Sequence, residues 1–187
     1  TPNSQQMSSL QVATFLSIVV AKYNNDYSYI LKVMDHSYAN IAAIRSDLLT
    51  TIMTTDGNDE TQDIAMWGSH CRTGVRPSHL GIPDTEYSDY FFPQYCKGDG
   101  YALSKIFVRC AVSQIPNSRL ISFDDAYIGT LGERCGLQEN QFRSGADTKK
   151  GELPLLQHGL ETTDDMQNFH VQHINYTFDS RKERERR

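Results

Sequence analysis

Val12, Phe15, Leu16, Val19, Val20 and Tyr23 recur at i, i+3, i+4 and i+7, which predicts an amphipathic helix with one apolar face to pack on a sheet. The β-prone run Tyr27 to Val33 follows and stops at the polar Asp35-His36-Ser37, predicting a strand and then a turn. Ile41, Ile44, Leu48 and Leu49 form a second helical face, closed by the polar segment Thr54 to Asp63, an expected loop. Ile64 to Trp67 predicts a short strand. Arg72 to Pro93 is rich in turn formers without a sustained period, and an irregular stretch of that length is expected to face a substrate. A strand at Tyr101 to Leu103 leads to Ser104 as N-cap and to a helix burying Ile106, Phe107, Cys110 and Ala111. Leu120 to Phe123 predicts another strand, and Asp125 to Cys135 a helix with Gly136 as its C-cap. Beyond it the pattern fades. Strands alternating with helices, without internal repeats, predict an α/β sheet protein.

Composition narrows the class. Of 187 residues, 39% are hydrophobic and 22% charged, as in an ordinary globular domain. The longest apolar run, Val12 to Ala21, is broken by Thr14 and Ser17 and falls short of the roughly 20 residues of a membrane span. Thr1 to Ser9 has no signal-peptide layout, so any targeting segment is expected outside this sequence. The net charge is −5, and because Arg181 to Arg187 is basic the rest is more acidic still, which argues against nucleic acid as a partner. That tail reads as a solvated terminus or as a basic patch for acidic glycans. Cys71, Cys96, Cys110 and Cys135 are widely spaced with no CxxC, so a zinc knuckle or redox motif is not expected. Two disulfides fit, in any of three pairings. With the sequon Asn175-Tyr176-Thr177 they suggest the secretory pathway.

Three segments carry candidate chemistry: Tyr29-Ile30-Leu31-Lys32-Val33-Met34-Asp35-His36-Ser37-Tyr38-Ala39-Asn40, then Phe92-Pro93-Gln94-Tyr95-Cys96-Lys97-Gly98-Asp99-Gly100-Tyr101-Ala102-Leu103-Ser104, then Phe123-Asp124-Asp125-Ala126-Tyr127-Ile128-Gly129. In this order and spacing they resemble the β1,3-glycosyltransferase family of galactosyl-, N-acetylglucosaminyl- and Fringe-type enzymes, over roughly residues 10 to 140. The resemblance implies a GT-A-like (Rossmann-like) mixed sheet with flanking helices, lacking the family's N-terminal strands. It makes residues 1–178 the C-terminal portion of one catalytic domain and 179–187 a charged, disordered tail. It also implies a UDP-sugar donor, a glycan or glycoprotein acceptor, and a Golgi location, lumenal side, with a membrane anchor outside this sequence.

The first segment matches the strand and turn of the family's acidic metal motif, where Mn²⁺ or Mg²⁺ would neutralise a diphosphate leaving group. Met34-Asp35-His36 stands there in place of three acids, leaving Asp35 and His36 as candidate ligands, or as ordinary turn residues. In the third segment Asp125 aligns with the family's general base, and Asp124 would orient it or hold the acceptor. The plainer reading is that both acids cap a helix. In the second segment Gly98, Asp99, Gly100 and Tyr101 are candidate sugar contacts; alternatively they form a tight turn beside a core tyrosine. His79-Leu80 replaces the family's Lys-Trp pair. Trp67 and Arg76 near that loop read as sugar and phosphate contacts, or as a core Trp and a solvated Arg; His158, His170 and His173 lie beyond the resemblance. Two functions stay open: an inverting hexosyltransferase forming a β1,3 bond from UDP-galactose or a UDP-N-acetylhexosamine, or a catalytically inactive relative that binds a glycan or a partner.

Overall fold

The computed structural model describes residues 7–23, 26–35, 37–53, 64–75, 82–97, 100–145 and 156–158. The helices are α1 (Met7–Tyr23), α2 (Ile41–Met53), α3 (Lys105–Gln114) and α4 (Asp124–Arg134). The strands are β1 (Tyr29–Val33), β2 (Ser37–Ala39), β3 (Met66–Gly68), β4 (Cys71–Val75), β5 (Phe91–Cys96), β6 (Gly100–Ser104), β7 (Phe142–Ser144) and β8 (Leu156–His158). The central sheet has the order β1-β6-β3-β7; β6 runs antiparallel to β1 and β3, and β3 parallel to β7. Two ribbons, β2-β8 and β4-β5, complete the pairing. This is the mixed α/β organisation expected.

Strand alternation sends successive side chains to opposite faces and builds a core on each. Ile30, Met66, Tyr101 and Leu103 join the cluster that takes in Leu16 of α1, Phe107 and Val108 of α3, and Ile128 and Leu131 of α4. Tyr29, Leu31, Trp67 and Ala102 pack on the other face against Ile44 and Leu48 of α2. Trp67 is wholly buried and donates its Nε1–H to Asp47 at 2.6 Å, while Arg143 grips the other oxygen of the same carboxylate at 3.1 Å. Trp67 is thus the core Trp of the two readings, and it ties α2 to β3 and β7.

Local signals set the helix ends. Asn40 Oδ1 accepts from Ala43 N–H at the start of α2, and Ser104 Oγ accepts from Phe107 N–H at the start of α3. Gly136 at φ 73° ends α4 as predicted, since that left-handed turn favours glycine. Gly129 lets α4 lie on β5: a Cβ there would come 2.8 Å from the Gln94 carbonyl oxygen and 3.0 Å from Tyr95 Cβ.

Several expectations change. Ile106, expected on the buried face of α3, is exposed, and Val108 is buried with Phe107 and Ala111 instead. Arg72 to Pro93 is not irregular throughout, because its ends pair as the β4-β5 ribbon; Pro93, which has no N–H to donate, is passed over where the register shifts between Thr73 and Gly74. Leu120 to Phe123 is not a strand: Ile121 O accepts from the Ser9 hydroxyl and Ser122 N–H donates to Glu86, so side chains take the groups a ladder would use. β7 appears where no pattern was legible. The pairings left open are Cys71–Cys96, directly opposite across β4-β5, and Cys110–Cys135, joining α3 to the end of α4. Among the described residues no helix is long and apolar enough to cross a membrane. The loop Thr54 to Asp63, Arg76, His79-Leu80, the sequon, His170, His173 and the tail 179–187 lie outside the described residues, and of His158 only the backbone is described.

Candidate active site

Lys32 is the residue around which the site forms. It alternates onto the same face of β1 as Ile30, toward α1 and α4, and pairs in register with Tyr101 on β6. Its Nζ stands 3.5 Å from Asp124 Oδ2 and 3.9 Å from Asp125 Oδ1, and 5.2 Å from the centroid of the Tyr101 ring. The ammonium also points at the sulfur of Met34, 3.3 Å away. β1 and β6 thereby meet the first turn of α4 through one cation.

The two acids differ in access. Asp125 is 3% exposed, whereas the Asp124 side chain keeps 21% of its surface open. The N-cap of α4 is Phe123, which supplies no side-chain bond, so both acids sit inside the first turn and neither is its cap residue. Their charge still favours the positive end of the helix. Tyr101 is 0% exposed and its hydroxyl has no hydrogen-bond partner among the described residues. Burial pushes its phenol well above the usual value, and the charges of Asp125 and then Asp124 push the same way. It is therefore a neutral donor beside two acids.

Next to this polar group lies an apolar cavity of about 320 Å³, whose walls include Val12, Phe15 and Leu16 of α1, Ile30 of β1 and Leu103 of β6. Lys32 and Tyr101 also line it. An apolar cavity with a few polar groups at one end is the usual form of a small-molecule site.

The structure brings together Asp124, Asp125 and Tyr101 of the predicted residues, and Gly100 as the first residue of β6. Asp35 is exposed in the turn after β1, where Ser37 N–H donates to Met34 O at 3.1 Å. His36, Gly98 and Asp99 lie outside the described residues. Among the described residues no three His, Cys, Asp or Glu side chains gather in one place. The side chains described at this turn, one carboxylate and a thioether facing an ammonium, do not fit a Mn²⁺ or Mg²⁺ site made by the protein alone, since such cations take several hard oxygens. Sequence reasoning missed Lys32, though the signal was there: a lysine two residues from Ile30 on the buried face of an apolar strand.

The model of the galactosyltransferase family matches residues 6–143, three quarters of the chain. The chain belongs to the galactosyltransferase family. That match runs from just before α1 into β7 and takes in all three motif segments. Among curated proteins none matches the chain. Membership carries glycosyltransferase chemistry in general, with a sugar donor and a glycan acceptor as its two kinds of partner. In this galactosyltransferase-family domain the Asp124-Asp125 pair, Lys32 and Tyr101 make up the polar centre beside the cavity.

Proposed function

We propose that the domain transfers a hexose, galactose or N-acetylhexosamine, from a UDP-sugar to a hydroxyl of a glycan or glycoprotein, forming a β1,3 bond with inversion. The observation that carries this reading is the buried carboxylate of Asp125 in the first turn of α4, next to Asp124, Lys32 and a neutral phenol. In a single displacement the acceptor oxygen attacks the anomeric carbon while UDP departs from the opposite face. One carboxylate must take the acceptor proton as that bond forms. Asp125 has this role and Asp124, the more open of the two, orients the acceptor hydroxyl. Lys32 holds both acids in place. Mn²⁺ or Mg²⁺ would neutralise the charge of the diphosphate leaving group, and Asp35 and His36 would be the side chains at that turn to help hold it. We infer the lumenal side of the Golgi membrane as its location, a reading supported by two disulfides, which suit an oxidising compartment.

The test is transfer from UDP-galactose and UDP-N-acetylhexosamines to β-linked acceptors, in the presence of Mn²⁺, by the natural protein and by Asp125→Asn and Asp124→Asn variants. Asp125→Asn is expected to lower kcat by about 10²–10⁴-fold and Asp124→Asn by less, since general-base catalysis contributes on that scale. The reverse ranking would move the base to Asp124.

A second reading has support too. Lys32 occupies both carboxylates and Met34 stands where the family has an acid, as in a binding protein that keeps the fold without turnover. Binding of UDP by the natural protein with no transfer to any acceptor would favour it.

A further inference from the structure

We propose that Glu86 is a positioning residue for the acid pair, fixing the chain that leads into α4 from outside the helix; this rests on the reading of Asp124-Asp125 as the reacting acids. Glu86 lies in the segment between β4 and β5 and is 6% exposed, a rare burial for a glutamate. Its carboxylate accepts two hydrogen bonds from one residue, the backbone N–H of Ser122 and, at 2.9 Å, the Ser122 hydroxyl. Ser122 stands two positions before Asp124.

Helices commonly start on a side chain that bonds their free N–H groups, but the N-cap of α4 is Phe123, which makes no such bond. The approach to the helix is set instead from two distant parts of the chain. Ser9 of α1 donates its hydroxyl to Ile121 O at 2.5 Å, and Glu86 takes the next N–H. Glu86 is itself held. Its own N–H and that of Tyr87 both donate to Pro83 O, at 2.8 and 3.1 Å, and the Tyr87 hydroxyl donates to Phe91 O at 2.9 Å, tying the segment to β5. The Tyr87 and Phe92 rings lie 4.8 Å apart, and Phe123 packs 6.2 Å from Phe92 and 5.6 Å from Tyr95. The segment following β4 therefore reaches the acid pair through Glu86, and charge-assisted bonds to Ser122 give that link its strength.

A residue that merely adds stability would lower resistance to denaturant and leave turnover per folded molecule unchanged. A positioning residue changes kcat and leaves KM alone, because misplacing a reacting group costs rate more than binding. The experiment compares Glu86→Ala, Glu86→Gln and Ser122→Ala in the natural protein, reading amide hydrogen exchange at residues 122–127 together with kcat and KM for transfer. Glu86→Ala is expected to speed exchange there about tenfold, the equivalent of one lost hydrogen bond, with β6 and α3 unchanged. It is expected to lower kcat about 10- to 100-fold with KM within about twofold. Glu86→Gln, which keeps an acceptor oxygen, recovers most of both losses. Glu86→Ala combined with Asp125→Asn lowers kcat no further than Asp125→Asn alone, because a base that is absent cannot be misplaced. Unchanged exchange at 122–127, or losses that multiply with Asp125→Asn, would overturn the proposal. Should Glu86→Ala not fold, Ser122→Ala removes one of the two bonds, and an exchange rate equal to that of the natural protein would overturn it equally. Should the natural protein transfer no sugar, the proposed function fails, and the exchange result alone decides whether Glu86 sets this segment.

Discussion

Replacing Lys32 by Met keeps the length and apolar stem of the side chain and removes the ammonium 3.5 Å from Asp124 and 3.9 Å from Asp125. Two adjacent carboxylates in the first turn of α4 then lose their shared counter-charge, one of them with only 5% of its side chain exposed. Removing one partner of a fully buried pair costs about 3–5 kcal/mol, while an exposed pair is worth about 1 kcal/mol or less. Lys32 and Asp124 each keep 21% exposure, so water screens part of the interaction and the expected loss falls between those limits, at about 2 kcal/mol. The assay is urea unfolding at neutral pH for the natural protein, Lys32→Met, Asp125→Asn and the double variant, with the denaturant slope m checked for constancy. If the cost comes from a stranded charge, neutralising Asp125 relieves it. Lys32→Met/Asp125→Asn is then more stable than Lys32→Met, with a coupling of about 1–2 kcal/mol. Single effects that add to within about 0.5 kcal/mol would refute the reasoning, because Lys32 would not be the counter-charge of the pair.

Gly129→Ala drives a methyl group into the Gln94 carbonyl and Tyr95, and is expected to cost about 1–3 kcal/mol in the same urea assay, since backbone cannot swing aside. Non-reducing peptide mapping is expected to yield Cys71–Cys96 and Cys110–Cys135; replacing Cys110 and Cys135 together by Ala should cost about 3 kcal/mol, from the entropy of a loop closed over 25 residues. Stability should fall as pH rises past 10. Below that value the Tyr101 phenol keeps its proton whether folded or unfolded, but above it only the unfolded chain releases it, so the folded state binds more protons and loses ground. Tyr87, pushed up to about 12, chiefly by burial, contributes between pH 10 and 12. Melting temperatures at pH 8 to 11 test this: Tyr101→Phe should flatten the decline, and an identical decline in that variant would count against it.

How much was legible varies by element, for physical reasons. Helices α1 and α2 and the caps Ser104 and Gly136 follow from local periodicity and backbone preference and appear where the sequence put them, but the buried faces are narrower than the stripes: Leu16, Val19, Ile44 and Leu48 are buried while Phe15, Tyr23 and Ile41 are exposed. The β4-β5 ribbon was hidden because one strand contains Pro93 beside a bulge and the pairing joins residues 16 to 25 apart, outside any local pattern. Leu120 to Phe123 looked like a strand because Leu, Ile and Phe suit one, but strands need a neighbour and this segment found Ser9 and Glu86 instead. β7 is three residues long and is held by partners distant in sequence: it lies parallel to β3, and Arg143 pairs with Asp47 of α2.

Family membership and the Asp124-Asp125 pair were written in the order of motif residues along the chain, because a motif is a local string whose chemistry demands those side chains at that spacing. The capping alternative could not be dismissed there. Tertiary structure makes Phe123 the N-cap residue of α4, leaves both acids in its first turn and sets Lys32 against them. Neither Lys32 nor Glu86 belongs to a local pattern of charge. Lys32 reaches the acids because β1 pairs with β6 beneath α4, and Glu86 reaches Ser122 across 36 positions. Sequence determines which groups can react; long-range pairing determines which charges meet, because burial and Coulomb interaction depend on distance in space.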